Sequence, residues 1–128
     1  MSEGDAAVVE ISVPASSAYV ATLRLTASSL AGHADLTVDE IDDLALAVDE
    51  ACALLLPHAN GGPLTGRFAI APGSLSVAVG LPGQAGREVD RSGFGWTLLS
   101  ALAENLQVGS GGTELSVAFT KRRQSAGS

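Results

Sequence analysis

The sequence predicts an α+β two-layer sandwich: a mixed, largely antiparallel sheet covered on one face by three helices. Three observations carry this. Five short stretches read as strands, most of them alternating apolar and polar residues. Three longer stretches repeat apolar residues at helical spacing. The later strands are joined by short turns, Pro72-Gly73 and Gly109-Ser110-Gly111-Gly112, which suit hairpins rather than long crossovers.

Each element has its own justification. Val9, Ile11 and Val13 alternate with Glu10 and Ser12, which makes a half-buried strand stopped by Pro14. Ser16 or Ser17 caps a helix running to about Ala31, with Gly32 past its end and Leu23, Ala27 and Leu30 on its core face. Arg24 sits beside that stripe as a surface residue. Thr37 and Glu40 form a capping box for a second helix, Val38 to about His58. Ile41, Leu44, Val48, Ala51 and Leu55 make its buried stripe, and Asp42 and Asp49 face water. Glu50 lies on the flank, about 140° from the stripe centre.

Asn60-Gly61-Gly62-Pro63 turns the chain. Leu64 to Ala71 and Ser74 to Leu81 then form a hairpin around Pro72-Gly73. From Leu81 to Ser92 no periodicity survives, the signature of a functional or disordered loop. Ser92-Gly93-Phe94-Gly95 opens a third helix with Trp96, Leu98, Leu99, Leu102 and Leu106 as apolar positions. A short strand at Leu106 to Val108 and a longer one at Thr113 to Thr120 follow. Lys121 to Ser128 reads as a polar tail. The order is β-α-α-β-β-α-β-β in a single domain, 1–128, ordered from about 7 to 121, with 1–6 and 122–128 flexible.

The balance of 14 acidic and 7 basic side chains gives a net charge of −7 over 128 residues. An acidic chain lacks the basic face that nucleic acid or an anionic membrane requires. It suits a chain kept soluble by its charge, or one whose protein partner is basic. Cys52 is the one cysteine, so an internal disulfide and a multi-cysteine zinc site are excluded. It falls near the apolar stripe of its helix and reads as an inert thiol. The acidic start Met1-Ser2-Glu3-Gly4-Asp5 does not look like a signal peptide, and no apolar run is long enough to span a membrane. The expected compartment is the cytoplasm.

Three stretches carry chemistry. Glu50, within Ala47-Val48-Asp49-Glu50-Ala51-Cys52-Ala53-Leu54, is the best candidate for a chemical role, and Leu54 stands one turn above it. Asp90-Arg91-Ser92-Gly93-Phe94-Gly95-Trp96 places glycines at a helix start, where free amides suit an anion. Val77 to Gly83 ends a strand in a flexible glycine. Together with the order of elements, these stretches resemble the GHKL ATPase fold. From about Val9 to Thr120 the chain resembles the small bacterial anti-sigma-factor serine kinases.

The resemblance implies roles and exposes departures. Glu50 matches the general base of the family's asparagine box, but Leu54 stands where the magnesium-binding asparagine belongs, so no metal ligand is expected. His58 matches a histidine seen just after the box. Gly83 matches the glycine of the adenine-binding motif, whose aspartate position falls at Gly80 or Leu81. Arg91, Ser92, Gly93 and Gly95 match the lid residues that hold phosphate. ATP and magnesium are the implied cofactors, and both lose a contact here.

The implied function is regulation of transcription in stress response. The protein would sequester an alternative sigma factor, exchange it for an anti-anti-sigma protein and act as a homodimer, with kinase chemistry weak or absent. The alternative is an active serine kinase that phosphorylates its antagonist, with another residue replacing the lost asparagine; Asn60 and Gln84 carry the right oxygen but lie in loops outside the box, and Asp49 points elsewhere on the helix. A third reading, a small dimeric α/β domain, leaves Glu50 as a solvated helix residue. If the cleft keeps its geometry, Leu54→Asn with an aspartate at Leu81 is expected to restore Mg-ATP binding.

Overall fold

The computed structural model describes residues 7–83, 86–109 and 113–124. Five strands form one sheet: β1 (Ala7–Pro14), β2 (Pro63–Ala71), β3 (Ser74–Pro82), β4 (Glu104–Gly109) and β5 (Glu114–Arg122). Their order across the sheet is β1-β2-β3-β5-β4, and all four ladders are antiparallel. The antiparallel share expected from the short turns is therefore complete. The helices are α1 (Val20–His33), α2 (Val38–Leu55) and α3 (Phe94–Leu102).

Alternation decides which side of the sheet is covered. Leu64 and Phe68 of β2, Leu75, Val77, Val79 and Leu81 of β3, and Leu115, Val117 and Phe119 of β5 are buried in a single core. Leu23, Ala27 and Ala31 of α1, Leu44, Val48, Ala51 and Leu55 of α2, and Leu99 of α3 meet them. Each fully buried leucine contributes roughly 1.5–3 kcal/mol. The opposite sheet face carries small and polar side chains. There Arg67 Nε donates to Glu10 Oε2 at 2.8 Å, and Ser12 and Thr65 share a hydroxyl hydrogen bond at 2.8 Å.

Several local expectations meet corrections. The second helix stops at Leu55, and Pro57 forces residues 56–58 into a 3-10 turn. α1 runs through Gly32 to His33, and the left-handed residue after it is Asp35, at φ 63°. Ser16 caps a 3-10 turn that leads into α1. Leu106 lies in β4 and not on the third helix; β4 is longer than expected, with a register shift around Asn105, at φ 54°. Asp49 is not simply solvated: its carboxylate accepts from Arg24 Nη1 at 3.0 Å, tying α2 to α1.

The capping box is present in full. Thr37 Oγ1 accepts from the Glu40 amide, and Glu40 Oε1 accepts from the Thr37 amide at 2.8 Å. Glu40 is also buried, and its second oxygen accepts from the Gln124 amide at 2.6 Å. The reading of Lys121 to Ser128 as a free polar tail thus fails at its first four residues. Lys121 bonds the Leu102 carbonyl and Asp43, Arg122 pairs with Glu104, and the Arg123 amide donates to Gly73 O. The leader 1–6, the loop 110–112 and residues 125–128 lie outside the described residues.

Candidate nucleotide-site relic

The site assembles where α2 meets the start of α3. Glu50 sits in the second turn from the end of an 18-residue helix and is half-buried. Gly93, extended at φ −87°, ψ 172°, is the N-terminal cap of α3. Gly95 is in its first turn. A Cβ built on Gly95 would stand 3.0 Å from Glu50 Oε1, so the carboxylate lies against the amino end of α3. A negative charge is favourable there, because the first helical amides lack intrahelical partners.

A second carboxylate approaches the same end. Asp90 Oδ1 accepts from the Ser92 amide at 2.9 Å and from Ser92 Oγ at 2.6 Å. These bonds, the hydroxyl's first, hold the Asp90 carboxyl below its ordinary pKa. Arg91 lies over an aromatic ring: its guanidinium carbon is 5.2 Å from the Trp96 ring centroid.

The two positions expected to contact magnesium and adenine are apolar. Leu54 is half-buried and packs against the core. It lines a cleft of about 470 Å³, with Ala53, Pro57 and His58 on the α2 side and Glu88, Val89 and Asp90 on the other. Leu81 is 1% exposed and faces the core. Gly80 points to the open face of the sheet, where a Cβ would collide with the Glu114 side chain at 2.6 Å. Gly83, at φ 67°, ends β3 with its amide donating to Thr113 O at 2.5 Å.

The residues present do not fit Mg-ATP. Leucine offers no oxygen to a hard cation. A carboxylate meant for an adenine amino group has no place at a sealed core position. Among the described residues, no three His, Cys, Asp or Glu side chains group as a metal site.

Glu50, Gly93 and Gly95 are brought together beside Asp90, Arg91 and Ser92. Gly83 is tied to Thr113 instead, and Asn60 is exposed beyond the end of α2. Gln84 lies outside the described residues. One participant was missed: Val89, only 5% exposed, is buried in the core from an irregular segment. It is the one branched apolar residue between Pro82 and Phe94, a signal readable in the sequence.

The sequence profile of the histidine kinase-like ATPase domain matches residues 13–119. The chain belongs to that family. A serine-protein kinase RsbW of Bacillus velezensis is 30% identical over 135 aligned positions, covering 88% of this chain and 84% of that relative. A serine-protein kinase RsbW of Bacillus subtilis is 38% identical over 81 positions, covering 60% of this chain and 51% of the relative, so that match spans about half of the relative's length. In fold, the chain is similar to a crystal structure of RsbU and RsbW domains from Mycobacterium tuberculosis. The TM-score is 0.69 at 18% identity, over 91% of this chain and 32% of that one. This member keeps the family's two layers. Among the described residues, no helix is long and apolar enough to cross a membrane.

Proposed function

We propose that this protein is an anti-sigma factor acting as a binding module, with an ATP site that has lost nucleotide function. One feature supports the reading: inside an intact family fold, the positions that the resemblance assigns to the magnesium oxygen and the adenine carboxylate are Leu54, packed on the core, and either Gly80 or the buried Leu81. Losing two such polar contacts removes several kcal/mol of nucleotide affinity, at roughly 1–3 kcal/mol each. The fold itself is what a protein partner would read.

Charge supports a basic partner. The net charge is −7, and Asp39, Asp42, Glu88 and Asp90 are exposed. In this reading the partner is an alternative sigma factor, and an anti-anti-sigma protein releases it by competition rather than by being phosphorylated. The open sheet face suits a homodimer. It carries Val8, 66% exposed, and a hollow of about 370 Å³ over Arg67, Ala69, Ser76 and Ala78.

Titration of the purified chain with the sigma factors of its own host tests the proposal. A complex at micromolar concentration or below, formed without nucleotide, is the expected result. No partner in that range overturns it.

A further inference from the structure

We infer that the cleft between the end of α2 and the segment before α3 is a docking slot for a basic segment of a protein partner. That segment seats an apolar side chain against Leu54 and Val89 and sets lysine or arginine on Glu88 and Asp90. This rests on the binding-module reading for one point, that the chain has a protein partner. The slot itself stands on geometry. Its volume of about 470 Å³ lies in the range of ligand pockets. Its walls combine apolar and acidic groups: Leu54 and Pro57 on one side, Glu88, Val89 and Asp90 on the other. Val89 is buried and Leu54 packs against the core, so the apolar wall is held in place.

Charge selects the occupant. Glu88 and Asp90 are exposed. Among the described residues neither joins an ion pair, whereas Glu10, Asp43, Asp49, Glu104 and Glu114 all do. Arg91 lies over the Trp96 ring, and neither it nor Arg87 lines the cleft. The bonds from Ser92 occupy Asp90 Oδ1 and leave Oδ2 without a hydrogen bond among the described residues. Two uncompensated carboxylates beside an apolar wall oppose an anion and favour a cation carried next to an apolar group.

The apolar surface continues past the cleft, which points to a protein segment rather than a small cation. Leu46, Glu50 and Leu54 follow one another at single-turn spacing on one flank of α2, and Leu46 is 40% exposed. Phe94, next to the Gly95 that lies against Glu50, is 76% exposed. Exposed apolar side chains with carboxylates between them match an amphipathic basic segment.

A short lysine-leucine helical peptide is the probe, and its glutamate-leucine counterpart is the control. The lysine peptide should shift the Leu54 and Val89 methyl resonances saturably, and less at high salt, while Leu25 on α1 stays unmoved. The glutamate peptide should shift neither. Ala53→Trp fills the slot from an exposed helix position and should weaken the lysine peptide at least about tenfold. Glu88→Gln with Asp90→Asn should weaken it about three- to thirtyfold. Asp35→Asn with Glu104→Gln removes as many charges elsewhere and should leave it unchanged. Far-UV circular dichroism confirms the fold of each form.

No shift at Leu54 and Val89, equal shifts at Leu25, equal binding of the glutamate peptide, or an affinity that Ala53→Trp leaves unchanged overturns the slot. A sigma factor that the parent and the Ala53→Trp form hold equally tightly also overturns it, with the anti-sigma reading intact. If no sigma factor binds the parent, that reading fails while the peptides still judge the slot.

Discussion

The Glu50 carboxylate and Gly95 are in contact across the α2–α3 junction: any side chain at Gly95 would begin 3.0 Å from Glu50 Oε1. Two sequence motifs 45 residues apart in the chain therefore share one locus. The relation is testable as a pair. Alanine in place of a helical glycine ordinarily stabilises by about 0.5–1 kcal/mol. Gly95→Ala should gain little in the parent, because Glu50 must move. In a Glu50→Ala background it should gain that full amount. Urea midpoints of the four forms measure the coupling. Simple additivity would separate the two residues.

Leu54 and Leu81 differ in how they resist a restored site. Leu54 is half-buried at a cleft wall, so Leu54→Asn should fold and bind no Mg-ATP by itself. Leu81 is sealed in the core. Leu81→Asp should cost at least about 3 kcal/mol, because it buries a carboxylate without a partner. The double replacement that the motif spacing suggests should therefore lose stability before it gains nucleotide. Thermal unfolding with and without Mg-ATP checks both points.

Glu40 links the capping box to the end of β5. Hydrogen bonds from the Thr37 amide first, and the Gln124 amide next, hold its carboxyl below the ordinary value of 4.5. A depressed carboxylate adds stability that is present above 4.5 and is lost as pH falls through the lower folded value. Unfolding free energy should drop in that acid window in the parent and drop less in Glu40→Gln. Glu40→Ala should cost about 1–2 kcal/mol at neutral pH. Denaturation followed as a function of pH provides the comparison.

Cys52 is fully buried on α2, and burial first, with Asp49 second, pushes its thiol up to about 12. The thiolate is the reactive form. A thiol reagent at neutral pH should leave the native chain unmodified and react fully once it is unfolded. Fast labelling of the native protein would mean that α2 opens locally.

The layers were legible because strand and helix periods are strong in this chain: Leu75 to Leu81 alternates without a break, and Leu44, Val48, Ala51 and Leu55 keep one helical face. The capping box was legible because Thr37 and Glu40 are local partners. What remained hidden is what distant segments do to one another. No spacing rule ties Glu40 to Gln124, Arg24 to Asp49 or Lys121 to Leu102, since each contact depends on how the layers stack. Arg91 was read as a phosphate contact, but its partner Trp96 follows from the orientation of the α3 start. Val89 belongs to no periodic pattern, and its one signal is that it is the single branched apolar residue between Pro82 and Phe94.

The central claim is that a family fold persists here around a site unable to hold its nucleotide. Isothermal calorimetry of the native chain with Mg-ATP tests it most directly. The account predicts no heat of binding up to millimolar nucleotide, with the chain still folded and still able to bind a sigma factor. Saturable Mg-ATP binding at micromolar concentration, through Glu50 and Arg91, would contradict it.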